Sequence, residues 1–363
     1  INGFGRRGYY NSQEIGLGRA LARKGHEVMI YKGIDPSEKE EKVQVEKNLT
    51  IWYLPMKHLG AHGFMDCKNL DPQLKALFCF GDQQIFLPHV YRWCRRRRIP
   101  FVAYVGTAHS LDSNFKSKVM NALFAAGTLR IYKKNPVLAK TSAAKEELRQ
   151  LGVPHAVIAP VGLDIAVLKK NIPADEKMRL RKEHGFEADD VILCNVSRLS
   201  WEKRPLELID LFLQVKGKKK FKLIIVGNGP LEEELNEKIR KNGLEKEVKI
   251  YPNVPYEKMW EIYEMSDYYL NMNKGEIFGM AIMEAVYYKT SVAAIRALGP
   301  SVTLKDMKGH KLCENDDEMA EWITGPYPSE KDLQESSEKM AATFTWDRCA
   351  DAFLQASSEK SSR

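Results

Sequence analysis

Apolar runs long enough to cross a bilayer are missing from this 363-residue sequence. None approaches the ~18–20 residues that a spanning helix needs. No secretory leader opens the chain either. Its first residues, Ile1-Asn2-Gly3, read as the end of a strand, so upstream residues are expected and the missing leader excludes nothing. Cysteine is sparse and scattered: Cys67, Cys79, Cys94, Cys194, Cys313 and Cys349 form no C-x-x-C pair. That spacing argues against a disulfide framework or a thiolate metal site, and fits the reduced, buried thiols of a cytoplasmic protein. Internal repeats and low-complexity blocks are also lacking.

What is present is an ordinary globular composition, 44% hydrophobic, with a formal charge of +8. The charge is uneven. Residues 1–165 hold 25 Lys and Arg against 14 Asp and Glu, and the remainder holds 31 against 34. The densest stretch, 92–149, has 13 basic and 3 acidic residues, with Arg95, Arg96, Arg97 and Arg98 in a row. A basic half suggests an anionic partner. No aromatic-interleaved reader motif accompanies the charge, which argues against nucleic acid. Phe115, Met120, Leu123 and Phe124 lie among these charges, so a peripheral contact with an anionic membrane through 92–134 is expected.

Organisation is clearest over 190–295. VILCNVS (191–197), FKLIIVG (221–227), VKIYP, DYYLNM and SVAAI are continuous apolar strands, separated by segments with helical periodicity. That alternation predicts a parallel sheet covered on both faces. The first half repeats the style, with strands at 26–31, 49–54, 75–80, 100–105, 136–141 and 156–161. The fold class is therefore α/β: two Rossmann-like doubly wound domains facing an interdomain cleft. The expected divisions are 1–165, 166–340, and a terminal segment, 341–363, ending in a helix.

Four junctions carry candidate chemistry. Gly3-Phe4-Gly5-Arg6-Arg7-Gly8 fits G-x-G-x-x-G, where glycine lets backbone approach a phosphate. A dinucleotide site also needs an acid at the end of the next strand. That strand ends Tyr31-Lys32-Gly33, with Asp35 displaced, so the loop is read as a glycine-rich turn facing the cleft. In the second junction, Glu276 and Glu284 flank Phe278-Gly279. Glu276 follows a strand. The amides of Phe278, Gly279 and Met280 are expected to be unpaired helix-start donors suited to an anion. Glu284 lies deeper, placed to accept from a diol. Ala281, Ile282 and Met283 make that helix apolar on both sides, which disfavours a merely solvated carboxylate. The third junction, Val196 to Pro205, brings Arg198 and Lys203 to the sheet's carboxyl edge, where two cations suit a diphosphate. In the fourth, Val226-Gly227-Asn228-Gly229-Pro230, glycines would let backbone pass a base or ribose, although a structural turn is the default.

In this order and at these separations the motifs resemble the retaining GT-B glycosyltransferases of family 4 (group 1). The opening NSQEIGLGRALARKGHEV, the loop GTAHS (106–110), the turn PVGLD (160–164) and the closing TFTWDRCADAFL (343–354) agree with that family. The resemblance implies a metal-independent enzyme that moves a hexose-type sugar from a nucleotide-sugar donor to a glycan or lipid-linked acceptor, in cell-envelope polysaccharide synthesis. It implies that Arg198 and Lys203 hold the donor diphosphate, Glu284 the ribose, and Glu276 the transferred sugar. Gly5, Gly8, Phe278, Gly279 and Met280 would face phosphates and sugar. Gly227, Asn228 and Val254 would border the base, and His109 would lie near sugar and acceptor. The closing helix would cross back to the first domain. No cofactor is implied, and a UDP-sugar is favoured over a GDP-sugar. No Asp-x-Asp occurs, so the leaving group's charge would fall to Arg198 and Lys203 rather than to a metal. The chain departs from the family pattern at Tyr288-Lys289, at AIRALGP, and at MNKG before Glu276. The rival readings are an NAD(P)-dependent oxidoreductase or epimerase and a catalytically silent sugar-nucleotide-binding subunit. The enzyme is expected in the cytoplasm, peripheral at the membrane's inner face.

Overall fold

A computed structural model describes residues 2–4, 13–59, 62–81, 86–108 and 115–358. The chain divides into two compact units, Ile1–Asp164 with Thr345–Arg363, and Ile165–Phe344. Among the described residues no helix is long and apolar enough to cross a membrane.

In the first unit, β1 (Asn2–Phe4), β2 (Val28–Ile34), β3 (Glu41–Glu46) and β4 (Leu49–Pro55) form one sheet, ordered β1-β2-β4-β3. A short hairpin, β5 (His58–Leu59) with β6 (His62–Gly63), follows. A second sheet, ordered β10-β9-β8-β7, holds β7 (Leu77–Phe80), β8 (Phe101–Val105), β9 (Val137–Ala139) and β10 (Val157–Ile158). Pairing in both sheets is parallel except where β3 meets β4. The sequence reading did not include β3. Only Val43 and Val45 give it an apolar side, and its charges suit an edge that must not recruit further strands.

The helix Trp346–Ser358 closes this unit against the helix Gln13–Arg23. Trp346 is fully buried, and a Cβ at Gly16 would lie 2.0 Å from its indole nitrogen, so only glycine fits beneath it. Arg23 pairs with Asp164 and Asp347, and Lys24 with Asp351, along the same seam. The return begins with a strand-like bridge between Leu163 and Thr345.

The basic stretch forms surface. The helix Leu87–Arg97 buries Leu87, Val90, Trp93 and Cys94 and exposes Arg95 to Arg98. Leu123 is 53% exposed, Met120 is half-buried and Phe124 belongs to the core; the Phe115 side chain lies outside the described residues.

The second unit is one six-stranded parallel sheet: β11 (Val191–Val196), β12 (Phe221–Val226), β13 (Val248–Tyr251), β14 (Tyr268–Asn271), β15 (Ser291–Ile295) and β16 (Lys311–Cys313). Its order is β13-β12-β11-β14-β15-β16. Leu193, Leu223, Ile225 and Leu270 are buried from the strands, and helix residues Leu208, Phe212, Leu235 and Ile323 pack onto them. Each such side chain contributes ~1.5–3 kcal/mol when fully buried. The direction of strand addition reverses between β11 and β14, which is where doubly wound sheets open a crevice at their carboxyl ends.

Candidate functional site

The loops leaving β11 and β14 emerge side by side because those strands are neighbours. After β11 the chain makes a 3₁₀ turn, Trp201–Lys203, and Arg204 takes a left-handed conformation (φ 55°) before Pro205 starts the next helix. Arg204 is fixed there by a two-pronged ion pair with Asp316 (3.1 and 2.9 Å). Lys203 is thereby aimed across the switch, and its Nζ donates to Glu276 Oε2 at 2.8 Å. Both partners are largely buried, 21% and 15% exposed. Arg198 stays in solvent and pairs with Glu202 at 3.0 Å. The two cations expected to converge thus share one sheet edge but are held by different carboxylates.

Glu276 Oε2 takes two donors, Lys203 and the Asn273 side-chain amide (Nδ2, 3.1 Å), and the Phe278 backbone N–H faces the same carboxylate. Burial alone would push its pKa up. The hydrogen bond and charge of Lys203, with the two amides, more than offset this, and the net shift is downward, so the carboxylate is ionised. The Phe278 amide, expected from the sequence to be an unpaired donor for an anion, faces the Glu276 carboxylate. Gly279 (φ 82°) caps the helix Met280–Tyr287, leaving the Gly279 and Met280 amides at its first turn. Gly299 packs directly against the Phe278 backbone, with 2.5 Å from a would-be Cβ to the nitrogen.

Glu284 lies one turn further in and is 4% exposed. Its Oε2 accepts from the Tyr263 hydroxyl at 2.8 Å, and Tyr256 also donates to the carboxyl. Desolvation outweighs both hydroxyls and raises its pKa to about 7. A cavity of about 20 Å³, room for one water, opens beside it between Leu168, Tyr256, Trp260 and Tyr288. Tyr288 stacks on Tyr263, 5.9 Å between centroids, and accepts from the Lys169 amide, which accounts for a bulky residue at that position.

At Gly227 and Gly229 the clearance is taken up by the Arg198 loop. Added Cβ atoms would lie 1.9 Å from the Ser197 oxygen and 2.4 Å from the Leu199 oxygen. The glycines let the turns after β11 and β12 interlock, and Leu199 N–H donates to Asn228 O at 2.9 Å. Asn228 in turn donates its side-chain amide to Pro252 O (2.9 Å), in the loop after β13. Val254 lies on that loop, in a groove of about 410 Å³ with His184, Tyr251 and Pro255. Gly5, Gly8 and His109 lie outside the described residues. At the end of β2, where a dinucleotide site would place an acid, Lys32 is buried against Glu14 at 2.7 Å.

Asn273, Tyr263 and Tyr256 were not singled out as site residues in the sequence. The only sign of Asn273 was the departure of MNKG from the family's turn. The tyrosines sit in YEKMWEIYEM, where aromatic residues read as core.

Comparison with known proteins bears on this arrangement. Residues 176–339 match the family described as Glycosyl transferases group 1. The chain is 23% identical to a D-inositol 3-phosphate glycosyltransferase of Xylanimonas cellulosilytica, over 99% of this chain and 94% of that protein. It is 21% identical to an alpha-monoglucosyldiacylglycerol synthase of Acholeplasma laidlawii, over 75% and 73%. In structure it resembles Anabaena HepE in complex with UDP and glucose, with a TM-score of 0.71, 17% identity and 98% coverage of both chains. The fold is GT-B, with Rossmann-like α/β units.

Proposed function

Since this chain is a group 1 glycosyltransferase acting on a nucleotide-activated sugar, we propose that it transfers a hexose-type sugar from a UDP-sugar, in preference to a GDP-sugar, with retention and without a metal. The observation that carries this reading is the Lys203–Glu276 pair at the strand switch. An ammonium has three protons to donate. One is held by Glu276, and two remain for the donor's phosphate oxygens. Arg198, free to leave its exposed partner, adds a second cation as charge develops on the departing diphosphate. The Gly279 and Met280 amides receive the phosphate at the helix start. Glu276, kept ionised, accepts from a hydroxyl of the transferred sugar. Glu284 accepts from the ribose, and Asn228 with Val254 borders the base. Retention follows if the acceptor attacks on the face that the diphosphate leaves; no side chain is assigned as a covalent nucleophile.

The acceptor is a glycan or a lipid-linked molecule. The exposed arginines 95–98 and the exposed Leu123 support a peripheral, salt-sensitive contact with anionic membrane, and one relative is named for synthesis of a glycolipid. The test is thermal stability with UDP, GDP, ADP and dTDP sugars, followed by donor turnover in EDTA. A donor at a hundred times its dissociation constant adds ~2.7 kcal/mol. UDP-sugars should give the largest shift, with undiminished turnover in EDTA. A GDP-sugar preference overturns the donor assignment, and strict dependence on Mg²⁺ or Mn²⁺ overturns the metal-free one.

A further inference from the structure

The turn between β14 and Glu276 is built on buried amides. Asn271 is 6% exposed and Asn273 5%. Asn271 Oδ1 accepts from the Asn273 backbone N–H at 3.0 Å, and Asn273 Oδ1 accepts from the Gly275 N–H at 2.9 Å. This double anchor leaves the Asn273 Nδ2 a single direction, toward Glu276 Oε2 at 3.1 Å. The same oxygen takes Lys203 at 2.8 Å. An ionised carboxylate offers about four acceptor positions. Lys203 and Asn273 use both positions of one oxygen, Oε2, which leaves Oε1.

We infer that Asn273 is a positioning residue: it fixes the rotation of Glu276 so that Oε1 is presented to a hydroxyl of the transferred sugar. This rests on the sugar-binding reading of Glu276 given above. A freely rotating carboxylate would share itself among Lys203, water and several hydroxyls. Held by an amide whose oxygen is anchored by Gly275, it presents Oε1 in one direction. Asparagine suits the task because its side chain both accepts, from Gly275, and donates, to Glu276; aspartate of the same shape could only accept. Lys203, from the turn after β11, and Tyr269, from β14, are the titratable side chains that face Glu276 among the described residues. Burial keeps Tyr269 protonated, so Lys203 is the counter-charge.

The experiment compares Asn273→Ala, Asn273→Ser, Asn273→Asp and Glu276→Gln in the full chain. It uses the UDP-hexose that wild type turns over fastest. Asn273→Ala should lower kcat on the order of tenfold, the size of one lost hydrogen bond to a charged group. KM and the calorimetric affinity for UDP should stay near wild type. Asn273→Ser, whose hydroxyl can still donate, should recover part of the loss. Asn273→Asp places two carboxylates together, which then share a proton. The acid limb of its pH–rate profile should move up by about one unit, so that its deficit is smallest at about pH 8.5 and grows as pH falls toward that limb. Equal, pH-independent losses in all three Asn273 variants would mean a purely structural turn and overturn the inference. Wild-type kcat in Asn273→Ala also overturns it. If Glu276→Gln is inactive while the Asn273 variants are normal, only this inference falls. If Glu276→Gln is itself fully active, the sugar-binding reading of Glu276 falls with it.

Discussion

Glu284→Gln separates a buried functional carboxylate from a solvated one. In the fold, the Glu284 carboxyl is lifted from an ordinary 4.5 to about 7, chiefly by burial. Keeping it ionised costs about 3 kcal/mol, at about 1.4 kcal/mol per pH unit. Because the folded value lies above the unfolded one, the folded state holds the proton more tightly. The contribution to stability is therefore fully present below about 4.5, and is lost as pH rises through about 7. Glutamine carries no such penalty and can still accept from Tyr263. Relative to wild type, the variant should gain nothing between pH 4 and 4.5, gain progressively to about 7, and hold a constant advantage above. At roughly 2–4 °C per kcal/mol for a domain of this size, the difference in Tm between the two proteins should grow by about 6–12 °C from pH 4.5 to pH 8. If ribose hydroxyls donate to the ionised form, uridine, which has no phosphate to titrate, should bind wild type more tightly as pH rises through 7. It should bind the variant weakly at every pH. Differential scanning fluorimetry and calorimetry measure both. A Tm difference that does not change with pH would refute the reasoning, as would uridine affinity equal in the two proteins.

Arg198→Ala and Lys203→Ala should each lower turnover by ~10²–10³, the cost of losing one preorganised charge-stabilising group, with little change in Tm for the exposed Arg198 and a lower Tm for Lys203, whose loss leaves Glu276 buried without its counter-charge; near-normal steady-state rates in both would remove them from the leaving-group site. Lys203→Ala should also raise the pKa of Glu276, whose ionisation relies on that ammonium, and so shift the acid limb of the pH–rate profile upward. Gly227→Ala forces a methyl into the Ser197 carbonyl at φ 141°. It should destabilise by several kcal/mol in chemical denaturation, whereas Gly217→Ala, with open space at its Cβ position, should cost only the milder penalty of a left-handed backbone. Replacing Arg95 to Arg98 by Ser should reduce sedimentation with anionic vesicles, and wild-type binding should fall steeply with salt. Indifference of the wild type to lipid charge would dispose of the membrane contact.

The second unit was largely legible as sequence because parallel strands covered on both faces must be continuously apolar, and VILCNV, FKLIIV and SVAAI are. Pro205 before an amphipathic run marked a helix start in the same local way. Arg198, Lys203, Glu276 and Glu284 stood out for the same reason: each lies within a few residues of a strand–helix junction that the chain itself announces. The strands β3 and β16 did not stand out, being a charged edge and a three-residue segment. What tertiary structure alone decided is who meets whom. Alternation of strands and helices is the same for any strand order, and only packing put β14 beside β11. That adjacency sets Lys203 on Glu276 across 73 residues and leaves Arg198 to its own neighbour Glu202. Tyr263, indistinguishable from core in its own helix, becomes the partner of Glu284 only because two helices pack together. Asn273 reads as an ordinary turn residue until its amide is seen to be anchored at one end and aimed at a carboxylate at the other. Local sequence specifies elements through backbone and burial preferences that act over a few residues. The ionisation and direction of a functional side chain depend on donors brought from distant loops.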